Sequence, residues 1–306
     1  CLDKACIKET RHEIDAVVTV DVTAHNLIEV RECPLHGGVK TGSFPKNIKA
    51  TVQYGKNLQA MVVAFNTVGA VSINRTHEIL SSVFNIPLAT GTIKNMVTRC
   101  AESLKDTYEQ IRLKMITLGL IHCDETGSRV DGKTCWVHVA SDQNYTYLTI
   151  NQKRGQAGMD AANVLPHANG IIMHDCWSSY WKYQNVTHAI CCAHLLRELN
   201  GVIENHPEQT WAVRFKKLLL DMKKVRDKAL LLDKDEVSYY HRHKFDMEYD
   251  SIIKTAYGEN PFPETPAKKR GRKKKSKVLN LICRLYNYKE SVCLFIKNLC
   301  VPFDNN

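Results

Sequence analysis

The stretch 119–126, GLIHCDET, decides how the rest of the chain is interpreted. An apolar run from Leu118 to Ile121 leads directly into Asp124 and Glu125, and this pattern predicts a buried strand that ends in two carboxylates. Burying a carboxylate is costly unless it has a partner. The sequence therefore raises the question of which positive charge these acids face.

Three short strands follow one another from this point, namely GLIHCDET, KTCWVHVAS and YTYLTIN, with turns predicted at 127–132 and 142–144. A helical segment, GQAGMDAANVL, precedes a fourth strand in NGIIMHDC, and THAICCAH is predicted as a fifth. The order β-β-β-α-β-α-β predicts a mixed five-stranded α/β sheet, which is also the order of the ribonuclease H-like fold.

A second acid, Asp175, ends the fourth predicted strand in IIMHDCWSSYWKY. In this strand order the first strand is central and the fourth pairs beside it, so Asp124 and Asp175 are predicted to emerge at one end of neighbouring strands. Two carboxylates that close repel each other unless a cation lies between them. Mg²⁺, or Mn²⁺ in its place, is the candidate because it prefers oxygen ligands and keeps water molecules. The alternative is that each Asp merely ends a strand and caps the turn after it.

Neighbouring residues offer further candidates. Glu125 is predicted to point away from Asp124, because successive side chains of a strand alternate between faces. His122 and His174 are predicted to pack in the core, with a supporting role behind a metal ligand as the alternative. Glu198 is predicted to pair with a basic neighbour.

A group of His and Cys residues has the composition of a metal site: His188, Cys191, Cys192 and His194. On a predicted strand these side chains alternate between faces, so all four cannot converge. We expect buried cysteines instead, with His194 near the acids and within reach of DNA or a metal-bound water. Arg197, at the start of the following helix, is a candidate phosphate ligand. The aromatic residues of 177–181 either stack on an unpaired base or pack a helix onto the sheet.

Residues 1–45 are predicted to form a small β-rich segment, because AVVTVDVTAHNLIEVREC alternates apolar and polar residues. The segment ends in CPLHGG, where Cys33 and His36 have the spacing of zinc ligands, and Cys1 and Cys6 would complete a Zn²⁺ site. A plain turn is the favoured alternative.

Residues 46–116 are predicted to be helical. One helix reaches Phe84, and after a short turn Thr90 can cap a second helix, so the pair resembles a helix-turn-helix. In that interpretation Lys94 and Arg99 contact DNA. An ordinary helical hairpin is the alternative, and the pattern alone does not separate the two.

The remaining boundaries are predicted from changes in composition and periodicity. The catalytic core is predicted to occupy 117–200, a helical insertion 201–260, a basic linker 261–278 and a C-terminal helix returning to the core 279–306. We see no internal repeat.

The positive charge of the chain is mostly local. The net charge is +10, and AKKRGRKKKSK carries eight positive charges and no acid, which leaves only +2 elsewhere. Such a run is suited to binding the phosphate backbone of a nucleic acid in a salt-dependent way. It is also typical of a solvated linker, and one segment can be both. The cations are Lys268, Lys269, Arg270, Arg272, Lys273, Lys274, Lys275 and Lys277.

Composition narrows the class of protein. Of 306 residues, 44% are hydrophobic, as in ordinary globular domains. No apolar stretch approaches the length of a membrane span, so no membrane partner is expected. The twelve cysteines are spread along the chain, often in apolar segments, which favours buried reduced thiols of a cytosolic protein over a disulfide framework.

Five blocks together resemble the insertion-sequence-66-type (IS66 family) bacterial transposases: HCDETGSRVDGKTCWVHVAS, KRGQAGMDAANVLP, GIIMHDCWSSYWKY, HAICCAHLLREL and VPFDNN. The resemblance runs in order from CPLHGG to the last residue. It implies a DNA transposase with an Asp-Asp-Glu triad on a ribonuclease H-like fold, in which Asp124 and Asp175 match the first two acids. It also implies DNA as substrate, a homo-oligomer on paired ends, accessory proteins of the same element and a cytoplasmic, nucleoid-associated location.

In that family the third acid, a glutamate, follows DNN within a few residues, and the sequence here ends at Asn306. We therefore expect the chain as given to lack this acid and to be inactive. The hypothesis for the working enzyme is metal-dependent cleavage at an element end, followed by attack of the freed 3′-hydroxyl on target DNA. The alternatives are a non-catalytic DNA-binding remnant and a metal-dependent nuclease on the same fold.

Overall fold

The protein forms two compact units, Cys1–Lys105 and Asp106–Asn306. The computed structural model describes residues 11–15, 19–30, 35, 37–38, 40–262 and 275–305. The predicted zinc ligands Cys33 and His36, and the cations from Lys268 to Lys274, lie outside the described residues.

The first unit contains a short antiparallel ribbon and a group of three helices. Its elements are β1 (Glu29–Val30), β2 (Lys40–Thr41), α1 (Lys56–Thr67), α2 (Ile73–Ser82) and α3 (Thr90–Ser103). The helices share one small core, formed by Val62, Leu80, Leu88, Ile93 and Met96.

The connection between α2 and α3 differs from the prediction in its details. α2 ends at Ser82 rather than at Phe84. Thr90 is the first residue of α3 and not its cap, because the carbonyl of the extended residue Ala89 accepts the first helical hydrogen bonds, from the amides of Thr92 and Ile93. The two helices and their turn still leave the side chains of Lys94 and Arg99 exposed on α3.

The second unit is built on a mixed sheet. Helix α4 (Lys105–Ile116) precedes its five strands, which are β3 (Leu120–Val130), β4 (Lys133–Ser141), β5 (Thr146–Asn151), β6 (Ile171–His174) and β7 (Thr187–Ile190). The order across the sheet is β5-β4-β3-β6-β7; β3 to β5 form an antiparallel meander, and β6 and β7 run parallel to β3. This confirms the predicted mixed five-stranded sheet with the strand order of the ribonuclease H-like fold.

Strand β3 is longer than predicted. It continues past Asp124 to Val130 and pairs with β4 from His122 to Val130. The turn is made by Asp131 and Gly132, which both have left-handed backbone conformations (φ +50° and +74°), the usual geometry of a two-residue Asp-Gly hairpin. Gly127, which the sequence placed in a turn, lies within the strand, where a side chain would meet the Trp136 ring at 3.6 Å. Asp124 therefore lies in the middle of a strand and not at its end.

Helices cover both faces of the sheet. They are α5 (Gln156–Ala161), α6 (Cys192–Asn205), α7 (Thr210–Leu231), α8 (Tyr239–Glu259), α9 (Lys277–Asn287), α10 (Lys289–Val292) and α11 (Leu294–Lys297), with 3₁₀ turns at Leu165–His167 and Tyr180–Lys182. The predicted single C-terminal helix is thus three short ones. On one face of the sheet, α6 to α11 bury a large core around Trp211, Phe215 and Tyr249. On the other face, a smaller core contains Ile121, Met159 and Ile172.

Two further expectations concern the cysteines and the presence of membrane-spanning helices. Each of the nine cysteines in the described ranges is a free thiol, and six of them are buried. Within the same ranges, none of the helices combines the length and the apolar character that crossing a bilayer requires.

Candidate active site

The register between β3 and β6 determines where the two predicted acids lie. Leu120 pairs with Ile171 and His122 with Met173. Carried two residues further, the same offset places Asp124 level with Asp175, which directly follows β6. Side chains of a strand alternate between faces, and Leu120, Ile171 and Met173 pack against the core under α6. Asp124 is therefore on the α6 face of the sheet, and Asp175 follows the end of the neighbouring parallel strand, in a cleft that residues of α6 also line.

Each of these carboxylates makes one hydrogen bond to the backbone beside it. Oδ1 of Asp124 accepts from the Glu125 amide at 2.8 Å, and Oδ1 of Asp175 accepts from the Trp177 amide at 2.8 Å. Capping, which the sequence offered as the alternative to metal binding, therefore takes place. It occupies only one oxygen of each carboxylate, however, so it does not exclude a second partner at Oδ2.

Asp175 opens onto a cleft of about 830 Å³. The charged and titratable residues that line it are Arg154, Asp175, His194, Arg197, Glu198 and Arg284. Glu198 forms an ion pair with Arg284, which confirms the prediction that it pairs with a basic neighbour. The charges of Arg154 and Arg197 then exceed that of Asp175, so the cleft is suited to an anion.

Arg154 lies between Glu125 and Asp175, which belong to opposite faces of the sheet. Its Nη2 lies 3.5 Å from Oε2 of Glu125 and 3.9 Å from Oδ2 of Asp175. The guanidinium carbon lies 4.8 Å from the ring centre of Trp136 and 4.1 Å from that of Trp177. Its buried Nε has no hydrogen-bond partner in the described ranges. Sequence reasoning did not single out Arg154, because the residues that surround it come from three separate segments.

Glu125 points to the face opposite Asp124, as the alternation predicted, but it is not remote from the site. Its side chain is buried and accepts a hydrogen bond from the Tyr180 hydroxyl. Burial raises the pKa of Glu125, the hydrogen bond from Tyr180 lowers it, the charge of Asp175 raises it and Arg154 lowers it again, with a raised pKa as the net result. The charge of Asp175 thus acts on Glu125 although the two residues belong to different faces.

Residues 303–305 pack against β3, next to the position of Asp124. Asn305 Oδ1 lies 3.0 Å from Nδ1 of His122, and the Asn305 side-chain amide donates to the carbonyl of Cys123 at 3.3 Å. The Cys192 amide, at the start of α6, donates to the carbonyl of Phe303 at 3.0 Å. Phe303 and Asn305 of the VPFDNN block therefore lie against the start of α6 and against β3, respectively.

The predicted metal-like group of His and Cys residues is dispersed. His188 lies on β7, whereas Cys191 caps α6, and Cys192 and His194 lie in its first turn. Cys192 and His194 were expected on a strand, but Cys191 already ends the extended segment. In the described part of the chain, no group of three or more His, Cys, Asp or Glu residues is arranged to hold a metal ion.

His194 and Arg197 both reach the cleft of Asp175. Contact with Cys191 raises the pKa of His194, burial lowers it, and Asp124 contributes to a raised pKa overall. The charge of Asp124 thus reaches His194, which lines the same cleft as Asp175. The structure thus brings Asp124, Asp175, His194 and Arg197 into one region of the second unit.

The other candidates lie elsewhere. Lys94 and Arg99 belong to the first unit. Lys275 lies over the Phe262 ring, and Lys277 begins α9.

The aromatic residues of 177–181 pack within the protein, with one exception. Tyr180 is buried under Glu125, and Trp181 stacks on Tyr288 with ring centres 3.7 Å apart. Trp177 covers Arg154 at the cleft. The packing interpretation is therefore correct for Tyr180 and Trp181, whose faces are occupied by protein atoms.

Comparison with known proteins identifies the family. Residues 51–306 match the model described as "Transposase IS66 family". The search of curated proteins gave no match. A solved structure of the HTLV-2 integrase catalytic core domain in complex with magnesium (trimeric form) is 14% identical and covers 48% of this chain and 88% of that chain. Its TM-score of 0.21 is too low to support an argument about fold or function. The family match spans most of the chain, and the protein belongs to the IS66 family of transposases.

Proposed function

We propose that this transposase cuts the ends of its insertion sequence and joins them to target DNA by divalent-metal-dependent hydrolysis and transesterification, with Asp124 and Asp175 as metal ligands. The register of β3 with β6, which sets Asp124 level with the residue directly after β6, is the observation that carries the proposal.

The residues present are suited to such an ion. Oδ2 of Asp124 and Oδ2 of Asp175 are hard oxygen donors that the backbone caps leave available, which is the ligand chemistry that Mg²⁺ and Mn²⁺ prefer. The guanidinium of Arg154 lies 3.9 Å from Oδ2 of Asp175, so an ion bound at this oxygen would share it with Arg154. When bound, the ion supplies Lewis-acid activation to phosphodiester chemistry.

The chain itself contributes positioning and charge. Arg154 and Arg197 bind phosphate oxygens in the cleft, and Arg154 is oriented for this by the rings of Trp136 and Trp177. Asp124 and Asp175 orient the reacting groups between the sheet and α6. Such a reaction needs no Ser or Tyr nucleophile, since water and then a DNA 3′-hydroxyl attack the phosphorus.

DNA binding away from the cleft is part of the same proposal. The exposed side chains of Lys94 and Arg99 on α3 contact phosphates or bases, and the basic run 268–277 contacts the backbone in a sequence-independent way. Paired element ends call for a homo-oligomer, together with accessory proteins of the element and a nucleoid-associated location. A Zn²⁺ ion at Cys33 and His36 stays a prediction.

The test is cleavage and strand transfer by the protein encoded by its complete gene, on duplexes that carry the terminal sequences flanking that gene. We expect products only with Mg²⁺ or Mn²⁺. Asp124→Asn and Asp175→Asn should each lose more activity than the roughly 10- to 100-fold that changes behind a metal ligand cost. Asp131→Asn removes the same charge from the exposed β3–β4 turn and should be neutral.

Each alternative function predicts its own product. Cleaved ends without joined target DNA would indicate a nuclease, and binding without any cleavage would indicate a DNA-binding remnant. Unchanged cleavage by both Asp variants would exclude the proposed site.

A further inference from the structure

The turn that carries Asp175 has an uncommon backbone. Cys176, the next residue, has φ +71° although it has a side chain and is buried. Residues other than glycine rarely adopt this left-handed region, and they keep it only where their surroundings impose it. The direction of the Asp175 side chain depends on this turn, so whatever imposes the turn also positions the carboxylate.

Two side chains capture the amides of the turn. The Cys176 amide donates to Nδ1 of His174 at 3.0 Å, and the Trp177 amide donates to Oδ1 of Asp175 at 2.8 Å. The second bond belongs to Asp175 itself, whereas the first comes from the residue before it. The ring of His174 thus supports the turn from outside Asp175 itself.

The hydrogen bonds fix the tautomer of both histidines. Because Nδ1 of His174 accepts from Cys176, the proton of the neutral His174 ring is on Nε2, which lies 3.0 Å from Nδ1 of His188. His188 then carries its own proton on Nε2, which donates to the carbonyl of Tyr183 at 3.0 Å. All four ring nitrogens have partners, and the chain of bonds runs in one direction.

Packing holds the two rings rigidly. His174 is fully buried and stacks on Tyr180 with ring centres 4.4 Å apart. The Trp181 ring lies 5.3 Å from the His174 ring and 4.4 Å from the His188 ring. The Tyr180 hydroxyl also donates a hydrogen bond to Glu125. Tyr180 therefore connects the His174 ring to Glu125, on the opposite face of the sheet.

We propose that His174 is a positioning residue for Asp175, which it aims into the cleft by accepting the Cys176 amide, and that His188 fixes the His174 tautomer that makes this possible. The proposal rests on the proposed function, because it takes Asp175 as a metal ligand.

Two substitutions of similar size separate the positioning role from simple packing. His174→Asn removes the ring but places a carbonyl oxygen near the position of Nδ1, where it accepts from Cys176. His174→Gln also removes the ring, but its polar group lies near the position of Nε2, so it keeps the contact with His188 and leaves the Cys176 amide without an acceptor. Both variants lose the stacking on Tyr180 and should be destabilised alike.

The first measurement is hydrogen exchange of the Cys176 amide in the metal-free full chain. We expect the amide to stay protected in the parent and in His174→Asn, and to exchange at least about 10-fold faster in His174→Gln. Equal protection in the two variants overturns the proposal, whatever any metal experiment gives.

The second measurement is Mn²⁺ binding by calorimetry, with no DNA present. We expect the affinity to fall about 10- to 100-fold in His174→Gln and to be largely rescued in His174→Asn. If Asp175→Asn abolishes binding but the two His174 variants bind alike, positioning is overturned and the proposed function stands. If Asp175→Asn has no effect on binding, the proposed function fails, and hydrogen exchange alone decides the role of His174.

A third measurement needs no variant. Nitrogen NMR of the ¹⁵N-histidine-labelled parent distinguishes protonated from unprotonated ring nitrogens. We expect His174 and His188 to be the Nε2–H tautomers at neutral pH. A His174 ring protonated at Nδ1 overturns the proposal even if His174→Gln does not fold.

Discussion

Arg154 shows at the scale of single residues how the site combines charge and rigidity. Its guanidinium lies against the rings of Trp136 and Trp177 and near the carboxylates of Glu125 and Asp175. Contact with two aromatic rings holds the guanidinium beside these acids, where its N–H groups can also bind a phosphate. A lysine can supply the charge but neither the flat shape nor the paired donors.

We therefore predict that Arg154→Lys lowers cleavage of element ends by about 10- to 100-fold, the range that corresponds to losing one hydrogen bond to a charged group. Cleavage rates at limiting and saturating DNA would show whether binding or the chemical step is affected. Arg129→Lys, at the exposed end of β3, is the matched control. Equal rates for the two variants would contradict the role of Arg154.

Glycines show at the scale of elements how closely α5 is packed to the sheet. A Cβ at Gly158 would lie 1.9 Å from the carbonyl oxygen of Lys153 and 2.6 Å from Nε2 of His138. Gly201, within α6, has open space around the same position. The two helices therefore use glycine for different reasons, since only Gly158 is required by the close approach of two segments.

We predict that Gly158→Ala lowers the free energy of unfolding by about 1–3 kcal/mol, as overpacked substitutions do. Gly201→Ala should instead raise it by about 1 kcal/mol, because alanine is the better helix former. Urea unfolding followed by circular dichroism measures both. A neutral Gly158→Ala variant would show that α5 can move away from β4 without cost.

The distribution of charge matters at the scale of the whole molecule. Eight of the cations are concentrated in 268–277, while α3 presents Lys94 and Arg99 on a folded surface. A local run of cations binds any phosphate backbone, whereas cations on a helix can also contact base edges. The two regions should therefore contribute differently to affinity and to sequence preference.

We predict that replacing the six cations of 268–274 by glutamine weakens binding to all DNA sequences alike and lowers the salt slope of the affinity by up to about five. Lys94→Ala with Arg99→Ala should lower the slope by up to about two and weaken element-end DNA more than random DNA. Fluorescence anisotropy at several salt concentrations measures both, with Lys56→Ala on α1 as control. An unchanged slope in the six-cation variant would contradict a backbone contact.

Local patterns predicted the strands better than their ends. Apolar runs with alternating polar residues located all five strands, because a strand that is buried on one or both faces constrains each residue type locally. The predicted length of β3 was too short. The second half of this strand is stabilised by pairing with β4 and by the left-handed Asp131–Gly132 turn. Pairing partners are not visible in a short window of sequence.

The sequence by itself determined the strand order, the family and the placement of Asp124 and Asp175 on neighbouring strands, because these depend on hydrophobic pattern and motif order along the chain. Only the tertiary structure decided that Glu125 is linked to Asp175 through Arg154, and that His174 and His188 support the turn after β6. Those contacts join residues far apart in sequence, and their distances depend on how the strands, loops and helices pack in three dimensions.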